Sequence, residues 1–147
     1  MKDVKYQKRV KLKDFSYKGF YRYFVTVNTD RRRPVFEDIE IVGGVLSILK
    51  AICKDYGFIV WAYCFMPEHL HLLIEGKNED SDMRKFVSMF KQKTSYVFKR
   101  QIGRKLWQEN YYEHVLRKDE DTKHVARYIF ENPVRGGLVD NFIDYPF

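Results

Sequence analysis

His69 and His71 stand two residues apart in the stretch Trp61 to Gly76, which reads W-A-Y-C-F-M-P-E-H-L-H-L-L-I-E-G. The stretch reads as two apolar strands joined by a tight Met66-Pro67-Glu68 connection. Side chains alternate faces along a strand, so the two imidazoles point the same way, about 7 Å apart along the chain. Leu70, Leu72 and Ile74 then point into a core. Two imidazoles on one face make half of a metal site, and two half-exposed histidines on a sheet are the plain alternative. Glu75 shares their face by parity and is a further candidate ligand, although a strand end favours exposure. A second group lies near the C-terminus: His124, Tyr128 and Asn132 follow one another at i, i+4 and i+8. On a helix they form one stripe, each about 5–6 Å from the next. That stripe faces either solvent or the two histidines.

The elements that must position these groups follow from apolar periodicity. Phe20 to Val27 is rich in β-branched and aromatic residues and reads as a strand. Asp38 to Tyr56 carries Ile41, Val45, Ile48, Leu49 and Ile52 at helical spacing. The pair Gly43-Gly44 weakens its first turns and Gly57 ends it. The two central strands follow. Ser81 to Arg100 reads as a second helix with Ser81 as N-cap and Met83, Phe86, Val87, Phe90 and Val97 inward. Tyr111 to Leu116 reads as a fourth strand containing His114, which faces the site or is buried by packing. Asp119 to Asn132 reads as a third helix opened by the acidic turn Asp119-Glu120-Asp121 and stopped at Pro133. Gly136 and Gly137 mark a turn in the tail, 134–147. The order βαββαβ plus a helix predicts an α+β, ferredoxin-like fold: an antiparallel sheet with two helices on one face and the tyrosine helix on the open face.

The 147 residues are expected to form one domain, 1–147, with a basic arm at about 1–19. Hydrophobic residues make up 45% of the chain and aromatics 17%, which excludes a disordered class. The net charge of +7 suggests a polyanionic partner, nucleic acid being the commonest. Arg31, Arg32 and Arg33 on a loop, Lys91 and Lys93 on the second helix, and Arg135 in the tail are the candidate DNA contacts, with a solvated basic surface as the alternative. Cys53 and Cys64 sit in apolar stretches without a CxxC pairing, so buried reduced thiols and a cytoplasmic location are expected. No apolar h-region follows the lysine-rich start and no run of about 18 apolar residues occurs, so neither a signal peptide nor a membrane span is expected.

Pro67-Glu68-His69-Leu70-His71, then Trp107-Gln108, then Tyr128-Ile129-Phe130-Glu131-Asn132-Pro133-Val134-Arg135-Gly136-Gly137-Leu138-Val139 resembles, in order and separation, the REP-associated tyrosine transposases. These belong to the single-tyrosine HUH transposases of insertion sequences. The resemblance runs from about residue 20 to the end. It implies a metal-dependent enzyme that nicks and joins single-stranded DNA, with hairpin DNA as partner and a homodimer as one assembly. It implies that His69 and His71 bind a divalent ion, that Tyr128 is the nucleophile, and that Asn132 completes the metal site. The better-known insertion-sequence members carry Gln at the last position, so this chain keeps the amide oxygen on a shorter arm.

That chemistry is consistent with the residue types. Phosphodiester cleavage needs charge stabilisation on the phosphoryl oxygens and an in-line nucleophile. A mixed N/O ligand set suits Mg²⁺ or Mn²⁺, and also accepts Zn²⁺ or Ni²⁺. A tyrosine must lose its proton to attack, and His124, one turn earlier, is a candidate to assist, as is His114. Two other readings fit the same chain. One is a non-catalytic module for single-stranded or hairpin nucleic acid, which needs no metal. The other is a zinc hydrolase that uses only the histidines.

Overall fold

The structure is a computed structural model that describes residues 15–117, 122–141, 143 and 145–147. Four strands form one antiparallel sheet: β1 (Arg22–Asn28), β2 (Phe58–Met66), β3 (His69–Gly76) and β4 (Tyr112–Val115), in the order β2-β3-β1-β4. Helices α1 (Ile39–Tyr56) and α2 (Met83–Ile102) pack on one face. Helices α3 (Thr122–Phe130) and α4 (Asn132–Arg135) lie on the other. This is the expected ferredoxin-like arrangement. The register pairs Thr26 with His71 and Asn28 with His69, and on the other side of β1 pairs Phe24 with His114.

Alternation along the strands builds two cores. Tyr23, Val25, Val27, Leu70, Leu72 and Ile74 pack against α1 and α2. Phe24 and Leu73 pack with Val125 and Ile129 of α3. Strand β2 joins both cores through a bulge between Val60 and Ala62. The extra residue reverses the parity, so Phe58 and Phe65 face α1 and α2 while Ala62, Cys64 and Met66 face α3. Without that irregularity Cys64 and Met66 would share a face with Phe58.

The caps fix the helix ends. Asp38 accepts from the backbone of Glu40 and Ile41 at the start of α1, and Gly57 closes it at a left-handed φ of 73°. Gly44 has a packing reason inside α1, because a Cβ there would stand 2.5 Å from the ring of Phe98 on α2. The N-cap of α2 is Asp82, which accepts from the backbone of Lys85, rather than Ser81. Ser81 is buried instead. Its hydroxyl accepts from the backbone of Lys77 and Asn78 and donates to the carbonyl of Gly57, tying the end of α1 to the end of β3.

The tyrosine helix also departs from expectation. It is interrupted at Glu131 and continues as α4, with Pro133 in that helix's first turn, where a missing N–H carries no penalty. The acidic turn at 119–121 and residues 1–14 of the basic arm lie outside the described residues. Among the described residues, no helix is long and apolar enough to cross a membrane.

Candidate active site

The two histidines are aimed by the turn that precedes them. Thr29 is fully buried, and both its backbone N–H and its hydroxyl donate to the carbonyl of Glu68. The N–H of Phe36 donates to the carbonyl of Pro67. The Met66-Pro67-Glu68 connection is thus pinned to the end of β1. As the parity argument requires, Leu70, Leu72 and Ile74 enter the core on the α1/α2 side, and His69 and His71 face α3.

Each ring is held from behind. Nδ1 of His69 lies 3.0 Å from Oε1 of Glu68, and Nδ1 of His71 lies 2.8 Å from the hydroxyl of Thr26. A carboxylate can only accept, so His69 carries its proton on Nδ1 and keeps a lone pair on Nε2. That Nε2 is 3.0 Å from Nε2 of His71. The amide nitrogen assigned to Asn132 is 2.8 Å from the same His71 atom. Rotation of the amide group exchanges its nitrogen and oxygen, which places an oxygen there.

This donor set fits a divalent cation. Two nitrogens at about 2.1 Å from one ion and at a right angle stand about 3.0 Å apart, close to the observed 3.0 Å separation. Among the described residues, no three His, Cys, Asp or Glu side chains form a cluster suited to a metal, so the third protein donor would be the amide of Asn132. Burial holds His69 below the usual histidine range, helped by the Arg32 guanidinium and opposed by the Glu68 carboxylate. Burial, then the neighbouring His69, Arg135 and Arg32, hold His71 well below it. Both rings are therefore neutral near pH 7, as a metal ligand must be.

Aromatic contact through Phe24 links the tyrosine to this group. The Phe24 ring stacks on His71 at 5.3 Å and meets the Tyr128 ring edge-on at 6.1 Å. Tyr128 is half-buried. The guanidinium of Arg135 lies 3.8 Å from the Tyr128 ring centre, and its Nη2 donates to the Tyr128 carbonyl at 2.6 Å. Arg135, an expected DNA contact, is thus bound to the tyrosine itself.

The other expected site residues are dispersed. Glu75 accepts from the Trp61 indole at 2.7 Å and pairs with Arg22 at 3.4 Å, at the far end of β3, and is no ligand. His114 is buried on β4, on the opposite side of β1 from His71 and two residues along it, and does not join the pair. His124 is exposed. The arginine loop is not one clamp. Arg31 is exposed, Arg32 bonds Asn28 and Glu68, and Arg33 is half-buried with one guanidinium nitrogen unpartnered. Arg31 and Arg32 both have left-handed backbones, φ 54° and 55°, and this strained turn swings Arg32 onto the Glu68–His69 pair. Lys91 donates to the carbonyls of Gln108 and Glu109, whereas Lys93 is exposed. Trp107 is core, its indole donating to Thr94.

Sequence reasoning did not single out Thr26, Phe24 or the role of Arg32. Parity along β1 puts Phe24 and Thr26 on one face, but the strand register was needed to set them beside His71.

Comparison with known proteins gives a consistent class. A family model described as transposase, IS200-like, matches residues 18–132. A REP-associated tyrosine transposase of Escherichia coli K12 is 31% identical over 126 residues, spanning 85% of this chain and 73% of that protein. A candidate REP-associated tyrosine transposase of Haemophilus influenzae is 30% identical over 146 residues, spanning 92% and 81%. The solved structure of a REP-associated tyrosine transposase bound to a REP hairpin superposes with a TM-score of 0.77 at 25% identity, spanning 95% of this chain and 81% of that one. A candidate transposase from Deinococcus radiodurans shares the fold, with a TM-score of 0.55 at 23% identity, spanning 84% of this chain and 97% of that one.

Proposed function

The chain belongs to the family of IS200-like transposases, and from that premise we propose that it cuts and rejoins single-stranded DNA with Tyr128 as nucleophile and His69, His71 and Asn132 as ligands of Mg²⁺ or Mn²⁺. The observation that carries this reading is the placement of Tyr128 and its neighbour Asn132. Asn132 bonds His71, and Phe24 touches the rings of both His71 and Tyr128. These contacts lie within one chain and favour a tyrosine that serves its own histidines.

The ligands are two neutral imidazoles and one amide, so the cation, when bound, would keep its full charge and act as a Lewis acid toward a phosphoryl oxygen. Glu68 and Thr26 fix the ring orientations from behind. The phenol of Tyr128 gives up its proton, and His124 on the same stripe of α3 is the candidate to take it. The tyrosine oxygen bonds to phosphorus, the bond from phosphorus to the 3′-oxygen breaks, and that oxygen leaves as a 3′-hydroxyl on taking up a proton. The resulting 5′-phosphotyrosine retains the phosphodiester energy, so a second 3′-hydroxyl reverses the step without a nucleotide cofactor. Because the relative of known structure is bound to a REP hairpin, hairpin DNA with a single-stranded flank is the substrate class we extend to this chain. Its net charge of +7 supports a nucleic-acid partner.

The test is a denaturing gel of fluorescent hairpin oligonucleotides incubated with the protein and Mn²⁺. A protein–DNA adduct is expected with Mn²⁺, is absent with chelator, and is abolished in Tyr128→Phe while DNA affinity stays within about threefold. An adduct that persists in Tyr128→Phe removes the nucleophile assignment. An adduct indifferent to chelator removes the metal.

A further inference from the structure

Helix α3 meets the sheet along one stripe. Thr122, Val125 and Ile129 stand at i, i+3 and i+7, so they share a face. Val125 and Ile129 are buried in one cluster with Phe24, Ala62 and Leu73 of the sheet. Such apolar contact is non-directional. It sets the distance between helix and sheet and leaves rotation and sliding loosely determined. Thr122, the first residue of the stripe, has a directional contact instead: Nη1 of Arg22 donates to its hydroxyl.

That guanidinium is itself held in place. Glu75 lies opposite Arg22 in the register, and its Oε2 is 3.4 Å from Nε of Arg22. The same oxygen accepts from the Trp61 indole at 2.7 Å, and the Arg22 guanidinium lies 5.9 Å from the Trp61 ring centre. Trp61 is the residue left unpaired by the β2 bulge, a feature that re-aims side chains. Side chains from β1, β2 and β3 thus converge on one cation. The Arg22 side chain is 43% exposed, so its ion pair is a weak source of fold stability. A cation at the start of a helix also opposes the helix dipole. The cluster therefore contributes geometry rather than stability.

We infer that Arg22, aimed by Glu75 and Trp61, is a positioning residue for Tyr128. It fixes the start of α3 through Thr122, while Asn132 fixes the chain beyond the other end at His71. Tyr128 lies between the two fixed points, six residues from Thr122 and four from Asn132. The inference rests on the proposed function for the reaction, and on the Arg22 cluster for the role. In-line attack needs the phenolic oxygen and the phosphorus within about 3–3.5 Å of each other, and a misplacement of about 1 Å slows a reaction by up to about a hundredfold. A helix that rolls or slides on its apolar stripe loses that geometry without losing its hold on DNA. Arg22 is four residues along β1 from Thr26, the partner of His71, or about 13 Å along the strand. It acts through the helix and not on the reacting atoms.

The experiment separates rate from affinity. A fluorescent hairpin oligonucleotide with a single-stranded flank is incubated with saturating protein and Mn²⁺, and a denaturing gel gives the rate of adduct formation. Anisotropy without metal gives the DNA affinity. Thr122→Val keeps the side-chain shape and removes the acceptor. It is expected to slow adduct formation about tenfold, with affinity within about twofold of the parent. Thr122→Ser, which keeps the hydroxyl, is expected to restore the parent's rate. Arg22→Ala is expected to slow the reaction to a similar degree, and the double variant Arg22→Ala/Thr122→Val no further, because both side chains act through one contact. A parent-like rate in Thr122→Val overturns the inference. So does a defect that Thr122→Ser shares, or a double variant in which the two defects multiply in full. An Arg22→Ala defect confined to affinity also overturns it and makes Arg22 a plain phosphate contact. If the parent itself forms no adduct, the proposed function falls and takes this inference with it.

Discussion

Asn132 reaches Nε2 of His71 at 2.8 Å from the first residue of α4, four residues beyond Tyr128. The helix breaks at Glu131, and the short side chain of Asn132 reaches His71 from the start of the next helix. Asn132 is thereby the hydrogen-bonded link between the tyrosine's helix and the histidine pair on the sheet.

If the Asn132 amide is the third donor, Asn132→Ala weakens Mn²⁺ affinity by about tenfold or more. Asn132→Gln retains binding within a few fold. Titration calorimetry with Mn²⁺ checks both. Identical affinities for the parent and Asn132→Ala would remove the residue from the ligand set.

The partners behind the rings carry a separate expectation. Glu68→Gln leaves the side-chain volume unchanged but removes the charge that holds the proton on Nδ1 of His69. Thr26→Val removes the hydroxyl on His71. Each is expected to lower metal affinity by about tenfold. Arg32→Ala acts only through Glu68, across an exposed contact of 3.4 Å, and should have a smaller effect. A ranking with Arg32→Ala most harmful would contradict this order.

Arg135 should be a positioning residue for Tyr128. Its ring contact and its bond to the Tyr128 carbonyl are both at the surface, and their loss in Arg135→Ala is expected to cost about 1–2 kcal/mol in urea unfolding. Adduct formation should fall more than DNA affinity does. Arg135→Lys, which keeps the charge without the planar stack, should recover affinity more fully than the rate. A loss confined to affinity would return Arg135 to the role of a plain phosphate contact.

Alkaline pH should destabilise the fold. Burial pushes the Cys53 thiol up to about 11 and the Cys64 thiol up to about 12. Burial also raises the phenols of Tyr23, Tyr111 and Tyr145 above their usual range. The folded state therefore keeps protons that the unfolded chain releases first. The stabilisation is fully present below the unfolded values, about 8.5 for cysteine and 10 for tyrosine, and is lost as pH rises toward the folded ones. Thermal unfolding at pH 7, 9 and 10.5 should give falling midpoints. Neither thiol should react with a thiol-specific reagent at pH 8 until the protein is unfolded.

The sequence by itself determined what depends on near neighbours. Helical spacing from Ile41 to Ile52 places α1, and Asp38 and Gly57 bound it, because caps and stripes involve residues within a few positions. The two-residue period likewise settles that His69 and His71 share a face while Leu70, Leu72 and Ile74 enter the core. The choice between Ser81 and Asp82 as N-cap was not legible, because the competing partner of Ser81 is Gly57, 24 residues away. Lys91 and the three arginines look alike as a charge pattern. Their different fates depend on which carbonyl or carboxylate the folded chain brings within reach. The bulge in β2 that turns Cys64 and Met66 toward α3, the register that sets Thr26 behind His71, and the contact of Arg22 with Thr122 belong to the tertiary structure alone. Each is a relation between segments distant in sequence, and neither period nor propensity carries information about register.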